Sequence, residues 1–354
     1  MDQDQVWYAT REDVRSALSS ASTARSDEQI DRAIETGSRA VDDLCQRSFA
    51  PVLATRYKDW PSLQRTRAWK LYLDRDEVIS VQTLTSAGVE IPDTDYYPEP
   101  VNSGPPYTRI ETRLDRPSMF NTGQTHQRAI AITGVFGYRD DSVTASSLTA
   151  SIDASQASIT IDTPSAVGVG SLLRIGDERL IVTGKTIGNT GQVLQTPLAA
   201  KKDAVLLDAA DGSRFAKGDV IKLGAESMLV RAVASNQLTV ERAFDGTVLD
   251  SHSADAIWAA TTLTVARGVC GTTAATAASG APVTRWVAPA QARTLAIAEA
   301  MCTLLSEQAG YARTVRAQAG TGTRSVAAIT AERDALRQQV ADSRLARKIR
   351  TRAV

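Results

Sequence analysis

The sequence is poor in the residues on which most catalytic and metal sites depend. Its 354 residues include two histidines, His126 and His252, and three cysteines, Cys45, Cys270 and Cys302, which lie far apart. An odd number of scattered cysteines indicates neither a disulfide framework nor a zinc site. The sequence also lacks a phosphate-binding glycine loop and a nucleophile-elbow motif. We therefore predict no catalytic, cofactor-binding or metal-binding residues, and a protein that is not an enzyme.

Long apolar runs and net charge are also missing. No window approaches 18 consecutive apolar residues, and the first five residues are polar or acidic, so we expect neither a membrane-spanning helix nor a secretory signal. Lys and Arg together number 40, as do Asp and Glu, which argues against general nucleic-acid binding. The apolar content of 43% is enough for a folded core.

The overall balance hides an uneven distribution of charge. Residues 1–60 hold 8 basic and 11 acidic side chains, and residues 141–285 hold 12 and 14, whereas residues 311–354 hold 10 and only 3. The C-terminal segment 311–354, here called the basic arm, is therefore predicted to dock on an acidic surface. After Tyr311 the arm has no aromatic residue, which favours a protein partner over nucleic acid. The alternative is that the arm is only a solvated helix face or tail.

Both ends of the chain carry helical patterns. Thr10 followed by Asp13 predicts a capped short helix, and Ser26 predicts the start of a second helix that runs to about Arg47. A third, alanine-rich helix is predicted after Pro289. Between them, residues of about 55–138 show short apolar or alternating runs typical of strands. The turn-rich stretch 85–127 predicts a long exposed loop.

Two internal repeats follow a linker-like stretch at 141–157. Residues 170–182 and 218–230 share the pattern Gly-x-φ-φ-(Arg/Lys)-φ-Gly-x-Glu-x-φ-φ-Val, where φ is apolar, at an offset of 48. Residues 238–247 match 263–272 at an offset of 25. The first pattern is typical of two strands joined by a tight glycine turn. We therefore predict an all-β module of about two and a half hairpin units, which builds structure or binding surface.

The few candidate catalytic side chains have plain structural interpretations. His252 aligns with Ala277 in the second repeat, so we expect a surface or turn histidine there, and the same at His126 between turn residues. The cysteines are predicted to be small buried hydrophobic residues in a protein that folds in a reducing compartment.

The order of several short motifs resembles a known family, the head–tail connector proteins of long-tailed bacteriophages, and in particular the versions in actinobacterial phages. The resemblance covers about 6–138 well and the helix at 286–310 loosely. The motifs that carry it are Tyr8-Ala-Thr-Arg-Glu-Asp-Val14, Asp27-Glu-Gln-Ile-Asp-Arg-Ala-Ile34, Arg47-Ser-Phe-Ala-Pro51, Thr55-Arg-Tyr-Lys-Asp-Trp-Pro61, Leu71-Tyr-Leu-Asp74, Asp95-Tyr-Tyr97, Gly104-Pro-Pro-Tyr107 and Arg128-Ala-Ile-Ala-Ile-Thr-Gly134.

The resemblance implies a fold and a domain organisation. It implies an α+β multidomain protein, with a helical-bundle adaptor core that carries small β-hairpins and is interrupted by an all-β repeat insertion domain. The adaptor core would be 1–145 plus 286–354, with its hairpin region at about 55–138. The insertion domain would be 146–285.

The resemblance also implies a function. Such proteins form an oligomeric ring, a dodecamer in this family, beneath the portal protein, and they extend the DNA channel in the virion neck. They carry the next neck or tail-completion protein, let genomic DNA pass without sequence-specific binding, and assemble in the host cytoplasm. The residues implied in portal docking are those of the basic arm: Arg313, Arg316, Arg324, Arg333, Arg337, Arg344, Arg347, Lys348, Arg350 and Arg352.

A second hypothesis assigns the main role to the repeats. The β repeats would contact the capsid or a host surface, and the helical part would serve as a base for oligomerisation. Removal of 146–285 separates the two hypotheses, because loss of adsorption with normal assembly would favour this second one.

Overall fold

The structure is a computed structural model that describes residues 6–18, 26–61, 67–312 and 326–347. The chain divides into two compact units. One comprises residues 1–44 and 142–343, and the other comprises residues 45–141 and 344–354. The two are called the large unit and the small unit. The proposed division into an adaptor core and an insertion domain at 146–285 stays a prediction.

Four helices occur in the described part of the chain. Their bounds are α1 Arg11–Ala17, α2 Asp27–Cys45, α3 Ala290–Ala312 and α4 Val326–Asp342. The predicted starts of α1 and α2 are confirmed. Thr10 and Asp13 form a reciprocal capping box at α1, and Ser26 and Gln29 bond in the same way at α2.

Within the described ranges, seventeen strands carry most of the regular structure. Their bounds are β1 Val52–Lys58, β2 Lys70–Tyr72, β3 Val78–Ser86, β4 Val89–Glu90, β5 Tyr96–Glu99, β6 Arg109–Thr112, β7 Ile130–Phe136, β8 Ser142–Ser147, β9 Ser158–Ile159, β10 Leu172–Ile175, β11 Glu178–Val193, β12 Leu206–Asp208, β13 Val220–Leu223, β14 Glu226–Ala234, β15 Gln237–Glu241, β16 Ala256–Ala266 and β17 Pro282–Trp286.

The expected helical-bundle core with small hairpins is wrong. Helices are the minor part of the described residues, and the main element is a ten-stranded antiparallel sheet. Helical periodicity located the helices, but it does not say how many helices pack together. The strands gain their stability from partners far away in the sequence, and such pairing leaves no local signal.

The small unit consists of two antiparallel sheets around one apolar core. Its sheets have the strand orders β1-β7-β3-β4 and β2-β6-β5. Core side chains come from both sheets, with Leu84 and Ile132 from the first and Leu71 and Ile110 from the second. The stretch 85–127 was predicted to contain a long exposed loop. Its first part contributes β4, β5 and β6, whereas residues 113–127 form neither helix nor strand and are mostly exposed.

The large sheet is built from two copies of one motif, and the second copy is inserted within the first. Its strand order is β12-β15-β14-β13-β16-β11-β10-β17-β8, with β9 also paired to β16. The outer module comprises residues 146–182 and 263–286, and the inner module comprises residues 194–258. The long strands β11 and β16 pair along both modules. The hairpins β10–β11 and β13–β14 are joined by tight turns at Gly176 and Gly224, as predicted.

The two repeats found in the sequence combine in this nested order. The hairpin at 170–182 belongs with the later strand segment 263–267, and the hairpin at 218–230 belongs with 238–242. The expected row of two and a half hairpin units is therefore replaced by two equivalent modules. The inner module has its own apolar core, which includes Ile221, Met228 and Leu238.

The N-terminal segment of the large unit lies across both modules. Gly170 and Gly218 each have a φ of +95° at equivalent positions, in the left-handed region that favours glycine. A Cβ at Gly170 would lie 2.3 Å from Cε3 of Trp7, and a Cβ at Gly218 would lie 2.6 Å from the carbonyl oxygen of Glu12. The segment from Trp7 to Glu12 thus packs directly on Gly170 of the outer module and Gly218 of the inner module.

Helix α3 packs against α1 and α4 in the large unit. Ala292, Ala296 and Ala300 of α3 are buried, which lets neighbouring elements approach closely. No helix among the described residues is long and apolar enough to cross a membrane.

Candidate functional site

The predicted docking residues are only partly within the described structure. Arg333 and Arg337 lie on α4, and Arg344 and Arg347 follow it. Six residues of the set lie outside the described ranges: Arg313, Arg316, Arg324, Lys348, Arg350 and Arg352.

Helix α4 is held on α3 by apolar and charged contacts. Ile329 and Val340 of α4 are buried. The Arg337 guanidinium forms an ion pair with Glu299 of α3, whose side chain is almost fully buried. The sulfur of Cys302 lies 3.7 Å from the carbonyl oxygen of Ile329, to which its S–H donates. This part of the basic arm is therefore an ordered element of the large unit.

Two of the four described docking arginines are engaged within the chain. Besides the Arg337–Glu299 pair, Arg333 Nη2 lies 2.7 Å from Asp334 Oδ1, and this bond raises the pKa of Arg333. Arg344 is exposed and has no carboxylate partner among the described residues. Within the small unit, the backbone N–H of Arg347 donates to the carbonyl of Cys45 at 2.9 Å. The structure thus leaves Arg344 as the described arginine best placed for an external partner.

A buried carboxylate–guanidinium pair organises each β module. In the inner module, Arg242 donates through Nε and Nη2 to the two oxygens of Glu226, both at 2.8 Å, and neither side chain is exposed. In the outer module, Arg267 binds Glu178 in the same way at 2.6 and 2.7 Å. Planar bidentate pairing of this kind is the strongest arrangement of the two groups.

Backbone groups complete the two clusters at matching positions. Glu226 also accepts from the N–H groups of Ala243 and Asp250, and Glu178 accepts from those of Gly268 and Ala275. Burial by itself would raise the pKa of each carboxyl, but the hydrogen bonds from the arginine, together with those from the backbone, outweigh it. The pKa of Glu226 falls to about 2, and that of Glu178 is also lowered.

His252 is the residue that sequence reasoning placed wrongly. It was expected to be a surface or turn histidine, but it is 4% exposed and its backbone pairs with Leu198. Its Nε2 lies 2.9 Å from Glu226 Oε2, and its Nδ1 lies 2.7 Å from Asp255 Oδ2. His126, by contrast, is exposed as predicted. The alignment with Ala277 misled the prediction, because the two modules differ at this position.

The Glu226 cluster has the form of a structural centre. Its histidine is enclosed between two carboxylates, and its arginine also donates to the carbonyls of Ala199 and Ala204. These bonds tie the loops of the inner module to its sheet. Within the described residues, no group of three or more His, Cys, Asp and Glu side chains is placed to hold a metal ion.

A second charged cluster joins α1 to both modules. Lys185 of β11 is buried, with Nζ 3.0 Å from Glu12 Oε1 and 3.4 Å from Asp219 Oδ1. The neighbouring carboxylates raise the pKa of Lys185 despite its burial. These residues line a cleft of about 320 Å³ whose other walls include Phe244 and Lys222. Because the cluster is paired internally, its evident role is to fix α1 on the sheet.

All three cysteines are buried, as predicted. Burial raises the pKa of Cys302, which disfavours a reactive thiolate.

No protein-family model matches the chain, and neither does any curated protein or solved structure.

Proposed function

We propose that this protein is a structural head–tail connector of a tailed bacteriophage. It assembles as an oligomeric ring beneath the portal, extends the DNA channel and carries the next neck or tail protein. The observation that carries the proposal is the ordered set of motifs that resembles this family. The structure supports it by showing what those motif residues do.

In the large unit, the first two motifs are in direct contact. Arg11 of the first motif donates to Asp31 of the second at 2.8 and 2.6 Å, and it also binds Asp27. Thr10 and Asp13 of the first motif cap α1. These residues build helix geometry and helix packing, which suits a resemblance between structural proteins.

The motifs of the small unit also pair with one another. The motif at 55–61 forms most of β1, which pairs in antiparallel register with β7 from the motif at 128–134. Leu73 of a third motif donates its N–H to Thr108, one residue after the motif at 104–107. The resemblance in this unit therefore concerns strand pairing and core residues rather than an isolated site.

The basic arm is the proposed contact with the portal. Because Arg333 and Arg337 already bind carboxylates of this chain, we assign the main docking role to the cations that follow α4. The four chosen are Arg344, Lys348, Arg350 and Arg352, of which only Arg344 lies in the described residues; Arg347 also follows α4 but is half-buried and is therefore left out. Four such charges per chain, repeated around a ring, would attract an acidic portal face and respond to salt.

The test replaces these four cations without removing the packed helix. The variant R344Q/K348Q/R350Q/R352Q is expected to fold and to form rings but to bind portal-bearing heads about tenfold more weakly at moderate salt. A matched control, K201Q/K202Q/R214Q/K217Q, removes four exposed cations from the inner module. The docking role is wrong if both variants attach to heads equally well. The connector function itself is wrong if the unmodified protein forms no ring and no portal complex in negative-stain microscopy.

One observation favours a binding role for the repeats as well. The inner module and the adjoining end of β11 expose large apolar side chains: Val193, Leu206, Val248 and Trp258, with Val248 at 82% exposure. The variant L206S/V248S is the discriminating change, because both side chains are exposed and belong to the inner module. Normal virion assembly with reduced adsorption would favour capsid or host contact by the modules. Normal assembly and normal adsorption would remove that alternative.

A further inference from the structure

The inner module holds a histidine between two carboxylates, and the geometry limits its protonation. Glu226 accepts from five donors in all, and its lowered pKa keeps it ionised at neutral pH. A charged carboxylate can only accept, so the Nε2 atom of His252 must carry the proton in that bond. The remaining ring nitrogen, Nδ1, faces Asp255 Oδ2 at 2.7 Å.

This second contact distinguishes the two charge states of the ring. A neutral imidazole with its proton on Nε2 presents a lone pair at Nδ1, which repels an ionised carboxylate. An imidazolium donates from both nitrogens and satisfies both carboxylates at once. Histidine side chains in general change charge between about pH 5 and pH 8. The contact with Asp255 is therefore favourable only when the ring is charged.

The other charged groups around the ring do not replace this interaction. Arg242 is committed to Glu226, and the Asp250 carboxylate accepts from the N–H of Ser251. The segment 198–204 pairs with His252 through the backbone of Leu198, and its charged side chains, Lys201, Lys202 and Asp203, are exposed. Asp255 is 41% exposed at its side chain, so water can solvate it when the ring is neutral.

The outer module provides an internal comparison. At the positions of His252 and Asp255 it has Ala277 and Gly280, while its Glu178–Arg267 pair is the same. The backbone bridge is also the same, because Ala277 pairs with Ile152 as His252 pairs with Leu198. The histidine and the aspartate are thus additions to a loop that closes without them in the other copy.

We propose that His252 and Asp255 form an acid-strengthened latch on the loop between β15 and β16. On acidification the charged His252 binds Asp255 and ties the end of the loop to the start of β16. On neutralisation this bond is lost while the bond from Nε2 to Glu226 remains. The loop carries Val248, the most exposed of the large apolar side chains among the described residues, so the latch restrains the loop that presents this side chain. This inference does not depend on the proposed function.

Amide hydrogen exchange of the full-length protein tests the latch. Protection factors, corrected for intrinsic exchange, are compared at about pH 5.5 and pH 8 for peptides covering 247–257 and, as internal reference, 272–282 of the outer module. In the wild-type protein, protection of 247–257 relative to the reference is expected to be about three- to tenfold higher at the lower pH, the net effect of one hydrogen bond whose acceptor is partly solvated. Equal ratios at the two pH values would overturn the proposal.

Two aspartate variants of the same loop separate the latch from general charge effects. D255N removes the charged acceptor, and the pH dependence of the 247–257 ratio is expected to vanish. D250N removes a charge from the same loop without touching the ring, and the pH dependence is expected to persist. If D255N retains the wild-type pH dependence of this ratio, or if D250N abolishes that pH dependence, the assignment to Asp255 is wrong.

A conservative change at the histidine completes the test. H252Q can still donate to Glu226 but does not titrate, so the inner module is expected to stay folded. Protection of 247–257 in H252Q is expected to equal, at both pH values, that of the wild-type protein at the higher pH. Protection that still rises on acidification in H252Q would show that another group is responsible.

Discussion

The carboxylate of Glu178 and the guanidinium of Arg267 are 89 residues apart in the sequence and are joined by two hydrogen bonds of 2.6 and 2.7 Å. The chain between them forms a whole second copy of the same motif, in which Glu226 and Arg242 make the same pair. Each module therefore has one such pair, and the inner pair lies in the sequence between the two members of the outer pair. Five predictions follow from this arrangement and from the N-terminal part of the large unit.

The inner pair predicts a large loss of stability when one partner is removed. E226Q leaves the fully buried Arg242 without a countercharge, and its free energy of unfolding at neutral pH is expected to fall by about 3–5 kcal/mol. Urea unfolding measures this change. R174Q serves as control, because it removes an exposed contact with Asp177 and should change the free energy by less than about 0.5 kcal/mol. Equal effects of the two variants would contradict the prediction.

The same carboxyl predicts how stability responds to acid. The folded pKa of Glu226, about 2, lies below its ordinary value of 4.5. The contribution of Glu226 is thus present above about pH 4.5 and is lost as the pH falls toward 2. In E226Q this part of the acid response should be missing, which is checked by comparing unfolding curves of the two proteins at about pH 5 and pH 3. An unchanged acid response in E226Q would show that other carboxyls dominate.

Asp42 on α2 predicts the opposite response. Burial raises its pKa to about 6, although Tyr8 donates a hydrogen bond to it and Arg39 lies 2.8 Å away. Its folded pKa exceeds the ordinary value of 3.8, so its favourable contribution is present below that value and is lost as the pH rises through 6. D42N should therefore be more stable than wild type by about 1–3 kcal/mol at pH 8 and should lose this pH dependence.

Thermal unfolding at about pH 5 and pH 8 measures the effect of D42N. The control is D43N, because Asp43 is the adjacent residue on the same helix and is exposed. Its stability should stay within about 0.5 kcal/mol of wild type. A D42N protein that is less stable than wild type at pH 8 would mean that the Arg39 pair outweighs the burial of Asp42.

Two glycines of the outer module predict different costs for the same substitution. Gly170 and Gly176 both have positive φ, at +95° and +60°, so alanine is strained at either position. At Gly170 the new Cβ would also collide with the Trp7 ring, whereas nothing lies within 4 Å at Gly176. G176A should cost about 1–2 kcal/mol, and G170A should cost more than about 3 kcal/mol. Equal losses in chemical unfolding would show that the N-terminal segment does not pack on this turn.

Ala243 predicts a stabilising change. It has a φ of +52°, and the equivalent residue in the outer module, Gly268, has a φ of +61°. Because alanine is strained in this conformation, A243G should raise the free energy of unfolding by about 0.5–1 kcal/mol. A225G, in an exposed turn of the same module without positive φ, should bring no gain. A loss of stability in A243G would contradict the prediction.

Much of the local structure could be predicted from particular residues. Thr10 and Asp13 predict the start of α1, because a capping box involves residues only three positions apart. The glycine turns at Gly176 and Gly224 followed from the repeated pattern and its spacing. The excess of charge in the basic arm was also evident, although its docking role stays a prediction.

The candidate site was harder to predict because its partners are distant. Glu178 and Glu226 stood in one sequence repeat, and Arg242 and Arg267 stood in another, at different offsets. Which glutamate meets which arginine depends on the nesting, and no local pattern encodes that order. The available signal was that both hairpins have a glutamate at the same position of the repeat, and that both strand segments have an arginine at the same position of theirs. His252 was missed because the comparison with Ala277 suggested a dispensable side chain.

By itself, the sequence of this protein determined the capped starts of α1 and α2, the glycine turns and the two repeated patterns, since each of these depends on a few neighbouring residues. The tertiary structure alone decided that strands prevail over helices, that one module lies within the other, and that Arg337 binds Glu299. The physical reason is that burial and pairing of charges are settled between residues far apart in the chain. Local propensity limits the elements, but only packing selects their partners.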